Sequence, residues 1–206
     1  MTVWKTSCPM MILASQSQTR KALLEQAGLE FSAAPAVIDE RALEQGTIEA
    51  GGDGRDVALL LSQAKAAEVS ARHPNALVIG ADQTLSLGTE LLHKPADRLA
   101  AANQLVQLRG KTHRLNAGVA LVHNGEILWS DVELAELTMR EFTASELDAV
   151  LAREGDAVFS SVGGYRLEGP SIRLFESISG DYFTILGLPL LPLLAALREF
   201  APETLQ

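Results

Sequence analysis

The stretch MILASQSQTRKALLEQAG (residues 11–28) reads as a short apolar strand that runs straight into a helix. Met11, Ile12 and Leu13 make the strand, and Gly28 stands where a helix C-cap belongs. Between them lie Ser15, Gln16, Ser17, Gln18 and Thr19, followed by Arg20 and Lys21. The first turn of a helix has free N–H groups with partial positive charge, so it ordinarily favours acids. This one carries two cations and no acid, which points to an anion held at the helix start.

Outward from that junction, the chain continues to alternate strands and helices. Residues 31–38 predict a second strand, leading into Asp39-Glu40, and the glycine-rich stretch 45–55 predicts a mobile loop. Asp56 then caps a long helix whose Leu59, Leu60, Ala64 and Ala67 fall near helical spacing. Leu77, Val78 and Ile79 form a buried strand, with Gly80-Ala81-Asp82 at its end. Gly88-Thr89 is a turn, and Leu91 and Leu92 return from it. A helix runs from Asp97 to Leu108, with Gly110 as its stop. Strands over 115–123 and 127–139 are joined by Asn124-Gly125, a strong hairpin signal. Thr143 and Glu146 form a capping box, residues 160–182 read as a positioned loop, and a helix over 188–200 closes the chain. The fold class expected is α/β, with a mixed sheet flanked by helices.

Composition narrows the function. A chain of 206 residues suits one sizeable domain or two closely joined lobes. The formal net charge of -9 argues against a nucleic-acid polymer as partner, although a local cationic pocket can still hold a small phosphorylated ligand. Cys8 is the only cysteine, which excludes an intramolecular disulfide framework and a cysteine-based zinc site. No stretch approaches the roughly 18 apolar residues of a membrane span, and the opening residues lack a secretory core, so a cytoplasmic location is expected.

Two motifs can be set aside. Arg109-Gly110-Lys111-Thr112 looks like the tail of a P-loop, but Leu105 occupies the place of that motif's first glycine. It also follows a helix and precedes a strand, the reverse of what a P-loop requires. Histidines 73, 93, 113 and 123 are scattered, with no helical i, i+4 pair, so any metal here would be bound by oxygen. Asp82 is the most informative carboxylate, because a charge directly after an apolar strand is costly without partners. Taken singly, it serves a structural pairing as readily as a catalytic role. Glu40, Lys65 and Lys94, taken singly, read as solvated surface charges. Together with the anion site they are the parts for metal-assisted attack on a phosphoanhydride.

The segments LASQSQTRKALLEQAG, VIDE, LVIGADQTL, HKPADR, LRGKTH, SVGGYRLEG and ISGDYFTILGLPL, in that order, resemble the Maf-like nucleotide pyrophosphatase family over residues 11–197. The resemblance implies one Maf-like domain over residues 1–206, with residues 1–10 as a short N-terminal tail. Its fold would be similar to that of the inosine-triphosphate pyrophosphatases, a mixed sheet with two lobes around a deep cleft. The implied activity is hydrolysis of a nucleoside triphosphate to the monophosphate and pyrophosphate with a divalent cation, Mg²⁺ or Mn²⁺. The implied role is house-cleaning of the nucleotide pool, and the family has also been linked to septum formation. By position, Ser15, Ser17 and Arg20 look like the family's phosphate-binding elements, and Lys65 and Lys94 like cations flanking the triphosphate. Glu40 looks like a metal-holding acid, and Asp82 like the catalytic carboxylate, as proton acceptor or metal ligand.

The departures from the family pattern are informative. Gln18-Thr19 stands where members usually have Pro-Arg, so one phosphate-facing guanidinium is missing. Gln83, Ser161 and Glu168 differ from the branch acting on thymidine and uridine triphosphates. Gln83 and Glu168, both implied substrate-binding residues, agree with the branch acting on 7-methyl-GTP. A carboxylate there can accept hydrogen bonds from guanine's N1–H and exocyclic amine, and it favours a cationic methylated base. The rival reading is a nucleotide-binding regulator of septum formation or cell division with little catalysis, motivated by the missing arginine. A homodimer is compatible with either.

Overall fold

The computed structural model describes residues 10–206. The expected tail over residues 1–10, except Met10, and Cys8 with it lie outside the described residues. Contacts divide the chain into two compact units. The first contains the described residues up to Gln83 together with Ala117–Glu133 and Asp181–Gln206; the second contains Thr84–Asn116 and Leu134–Gly180.

The described residues open with β1 (Met11–Leu13) and α1 (Gln18–Gln26), as the sequence predicts, and Gly28 takes the left-handed conformation that ends the helix. The second strand is shorter than expected: β2 is only Ser32–Ala33. Pro35 has no N–H for a ladder, its carbonyl accepts from Arg72, and the Val37 N–H goes to Glu68 instead of a strand. The expected loop over 45–55 is mostly helix. α2 spans Glu40–Glu49, with Asp39 capping it and Gly46 inside it, so only residues 50–53 connect onward. The cap of α3 (Gly54–Arg72) is Asp53 rather than Asp56; Asp56 is the third helical residue and closes the capping box.

β3 (Leu77–Leu87) is longer than its apolar run suggests and carries Asp82 in its middle, not at its end. It turns at Gly88 into the antiparallel β4 (Glu90–Leu92), and Asp97 caps α4 (Arg98–Leu108). β5 (Thr112–His123) and β6 (Glu126–Met139) meet at Asn124-Gly125, both with positive φ, as a tight hairpin turn requires. Because β5 follows α4, Lys111-Thr112 starts a strand, and the P-loop context is absent here. Thr143 and Glu146 cap α5 (Ala144–Glu154) reciprocally. The expected loop over 160–182 holds more order than foreseen. It contains a 3-10 turn at Pro170–Leu174 and an antiparallel strand, β7 (Phe175–Ser179), paired with β6. A short α6 (Tyr182–Ile185) and α7 (Leu190–Phe200) follow, and a 3-10 turn at Pro202–Leu205 comes after them.

The seven strands among the described residues form one mixed sheet in the order β2-β1-β3-β5-β6-β7, with β4 also paired to β3. β1 is parallel to both β2 and β3, with Ile12 opposite Ser32 and Val78. In the first unit, alternation along the strands separates two apolar layers. Met11, Leu13, Leu77, Ile79, Val119 and Leu121 face a layer that includes Leu23 and Leu24 of α1 and Leu193 and Leu197 of α7. Ile12, Val78, Ala120 and Val122 face Ala66 and Val69 of α3. Each fully buried Leu or Ile of these layers contributes about 1.5–3 kcal/mol. In the second unit the buried residues include Leu85, Ala101, Leu105, Leu137, Met139, Leu151 and Leu174. Among the described residues no helix is long and apolar enough to cross a membrane.

Candidate active site

Two glycines bring α3 down onto the sheet. A Cβ on Gly80 would lie 2.0 Å from the Ser62 carbonyl oxygen, and one on Gly118 would lie 2.2 Å from that of Ala58. Asp82 is two residues beyond Gly80 and so shares its face of β3. Lys65 is one helical turn beyond Ser62. The pattern thus directs a carboxylate and an ammonium at each other, and Lys65 Nζ donates to Asp82 Oδ1 at 2.5 Å. Nζ also lies 3.0 Å from Glu40 Oε1. Glu40 opens α2, and the segment before it is tied down by Arg72 donating to the Pro35 carbonyl and Val37 N–H donating to Glu68.

Arg20 completes the cluster in the first unit. Its Nε donates to the Gly187 carbonyl at 2.8 Å. Its Nη1 donates to the Ala81 carbonyl at 2.8 Å and to Ser15 Oγ at 3.2 Å. Nη2 makes no hydrogen bond among the described residues, so one edge of the guanidinium is anchored and the other keeps two donors. Ser15 Oγ also accepts from the Ser17 N–H, and Ser17 Oγ accepts from the Arg20 N–H as the cap of α1. No acid stands in that first turn. Gln83 is half-buried: its Nε2 donates to the Thr184 and Ile185 carbonyls, bracing the turn whose Gly187 carbonyl receives Arg20.

Electrostatics follow from burial. Burial raises the Asp82 carboxyl above its usual range, while Lys65 and then Arg20 draw it back. Burial lowers the Arg20 guanidinium, opposed by Asp82 and Glu40. Asp82 Oδ2 accepts no hydrogen bond among the described residues, which leaves that oxygen available to a water or substrate proton.

The sequence singles out Ser15, Ser17, Arg20, Glu40, Lys65, Asp82 and Gln83, and all of them lie in the first unit. Glu40, Lys65 and Asp82 touch one another, as do Ser15, Ser17 and Arg20. Lys94 and Glu168 belong to the second unit, where both are exposed. Sequence reading missed the carbonyls of Ala81 and Gly187 as guanidinium anchors. The only signal for the latter was the glycine before Leu-Pro, which has a φ of 91°. It also missed Glu154 and the pair His113–Tyr165, whose Nε2···OH distance is 2.7 Å. A lone glutamate inside a helix pattern carries no mark of burial.

The carboxylates placed to offer oxygens to a divalent cation are Glu40 and Asp82, which both contact the Lys65 ammonium. No group of three or more His, Cys, Asp or Glu suited to a metal occurs among the described residues. Two carboxylates fit Mg²⁺, which commonly takes one or two and completes its shell with water and substrate phosphates.

Fold and site together define an α/β protein whose first unit holds an anchored arginine on α1 and a carboxylate pair, Glu40 of α2 and Asp82 of β3, bridged by Lys65 of α3. The family model described as Maf-like protein matches residues 10–200, and the chain belongs to that family. It is similar to a 7-methyl-GTP pyrophosphatase of Brucella abortus, 55% identical over 189 residues that cover 92% of this chain and 95% of the relative. It is also similar to a nucleoside triphosphate pyrophosphatase of Bradyrhizobium diazoefficiens, 54% identical over 199 residues and 97% of both chains. A 7-methyl-GTP pyrophosphatase of Rhizobium meliloti is 52% identical over 191 residues, 93% of this chain and 96% of the relative.

Proposed function

We propose that this chain is a nucleoside triphosphate pyrophosphatase that cleaves its substrate to the monophosphate and pyrophosphate, with 7-methyl-GTP as the preferred class of substrate. The observation that carries the reading is the pairing of a half-anchored Arg20 with a buried Asp82 that has one oxygen unengaged. In this reading the two N–H groups on Arg20 Nη2, with Ser15 and Ser17, grip phosphate oxygens at the start of α1. The anchoring on two carbonyls fixes the guanidinium before substrate arrives, so little freedom is lost on binding. Lys65 and Lys94 neutralise further phosphate charge. Asp82 orients and deprotonates the attacking water, and its raised proton affinity suits that task. A divalent cation, when bound by Glu40 and Asp82, supplies charge neutralisation at the phosphates.

Base choice rests on different residues. Relatives of both printed names share similar identity with this chain, so overall identity does not select the base. Glu168 offers an exposed carboxylate that can accept from guanine's N1–H and amine. Gln83 contributes indirectly, by bracing the turn that anchors Arg20. Incubation with 7-methyl-GTP, GTP, dTTP and UTP in Mg²⁺ or Mn²⁺ tests the proposal. Pyrophosphate and monophosphate should form, fastest from 7-methyl-GTP. Release of orthophosphate alone overturns the reaction assigned, and tight binding without hydrolysis supports a regulator that only binds nucleotide.

A further inference from the structure

The second unit contains a buried carboxylate that the proposed reaction does not use. Glu154, the last residue of α5, has a side chain with no solvent exposure. Its Oε1 accepts from both the N–H and the Oγ of Ser171, each at 2.8 Å. Its Oε2 accepts from Arg166 Nε at 3.2 Å. These partners lie at the two ends of the segment 166–171. Between them, the Gly169 N–H donates to the Arg166 carbonyl at 3.3 Å, which closes a turn with Leu167 and Glu168 at its centre. A Cβ on Gly169 would lie 2.4 Å from Glu154 Oε1, so a glycine is needed for the carboxylate to sit against this backbone.

The approach to the turn is anchored as well. Gln104 Nε2 donates to the Val162 carbonyl, and buried Tyr165 pairs with buried His113 while its ring packs edge-on against Phe175. From Ser161 to Pro170, Glu168 alone is exposed. A loop held at this many points and showing one carboxylate to solvent is built as a fixed acceptor.

We propose that Glu154 is a positioning residue for base selection: by clamping Arg166 and Ser171 it fixes the Arg166–Gly169 turn and so aims the Glu168 carboxylate. The inference rests on the proposed reading of Glu168 as the group that accepts from guanine. Its physical basis is that a hydrogen bond to a carboxylate discriminates between bases only if the carboxylate is held in place. A mobile Glu168 would set its ordering cost against the bond to the matching base alone, and selectivity for that base would fall.

Steady-state kinetics of the full chain with 7-methyl-GTP and with its inosine counterpart, which lacks the exocyclic amine, test this. The readout is the ratio of the two kcat/KM values. Glu168→Ala should lower that ratio about tenfold or more, as expected for loss of a bond to a charged group. Glu154→Gln should lower it about threefold or more, chiefly through a higher KM for 7-methyl-GTP. Combined with Glu168→Ala it should lower the ratio no further, because it acts through the same group. Ser171→Ala removes one of the three bonds and keeps the fold, and should shift the ratio in the same direction; it decides the matter if Glu154→Gln does not fold. A normal ratio in Glu154→Gln and Ser171→Ala, with a lowered one in Glu168→Ala, overturns the clamp and leaves the base reading standing. Additive losses in the double variant also overturn the clamp. An unchanged ratio in Glu168→Ala overturns the base reading, and the clamp falls with it.

Discussion

Asp82 and Glu154 are both buried carboxylates, one in each unit, and they are satisfied in different ways. Among the described residues Asp82 has charged neighbours but only one direct hydrogen bond, from Lys65, and one oxygen left over. Glu154 has three hydrogen bonds, from a backbone N–H, a hydroxyl and a guanidinium. Burial alone therefore does not mark a reactive group. A carboxylate whose acceptor sites are filled holds structure together, whereas one with charged neighbours and capacity to spare is equipped to take a proton. The elements differ in parallel. Asp82 stands on a strand pinned under a helix, and Glu154 ends a helix and holds a turn.

Substitutions can break this contrast. Asp82→Asn should lower kcat about a thousandfold, within the range of general-base catalysis, with little change in melting temperature because Lys65 keeps Glu40. A near-normal rate would remove Asp82 from its role. Glu154→Ala should behave in the opposite way. It should cost about 3 kcal/mol of stability in denaturant unfolding, since the buried N–H and hydroxyl of Ser171 lose their acceptor. A cost near zero would show that the three hydrogen bonds contribute nothing net. Gly80→Ala places a methyl against the Ser62 carbonyl and should cost about 3 kcal/mol, at the upper end of overpacking effects. Wild-type stability there would mean that α3 can shift away from the sheet, and Lys65 with it.

A smaller effect should appear with pH in the second unit. Burial lowers the His113 imidazole from 6.5 to about 4. The unfolded chain then takes up a proton below pH 6.5 that the folded chain refuses until about pH 4. Stability is full above pH 6.5 and falls as the solution is acidified through that window. The loss attributable to His113 should be about 2 kcal/mol between pH 7 and pH 5. His113→Gln should flatten the slope over that interval, measured by denaturant unfolding at both pH values. An unchanged slope would show that the imidazole titrates normally in the folded chain.

Much of this architecture was legible in the sequence because its signals are local. Apolar runs, Asn124-Gly125, the Thr143/Glu146 box and Asp97 each act within a few residues, and each sits where the pattern puts it. The errors came where tertiary partners override local preference. Gly46 suggested a loop, but the Asp39 cap and the following helical residues carry α2 through it. The extended run over 31–38 lost its ladder to Pro35 and to side chains reaching from α3. Of the site, the charged residues could be nominated from their types, and Asp82 from the cost of placing a charge on an apolar strand. The anchors of Arg20 could not, because they are carbonyls far along the chain, and a backbone oxygen has no sequence signature.

The Lys65 bridge has a consequence for the resting protein. Glu40 and Asp82 carry two formal negative charges, and Lys65 and Arg20 two positive ones, so the cluster is electrically self-contained without any bound ion. A fold that balances its own charges needs no metal as a keystone, unlike small domains that collapse when their ion is stripped. If the proposed reaction uses a divalent cation, chelation should stop turnover and leave the melting temperature unchanged, and a melting temperature lowered by chelator would show that the ion holds the fold. Four side chains thus carry the charge balance that a structural ion would otherwise supply.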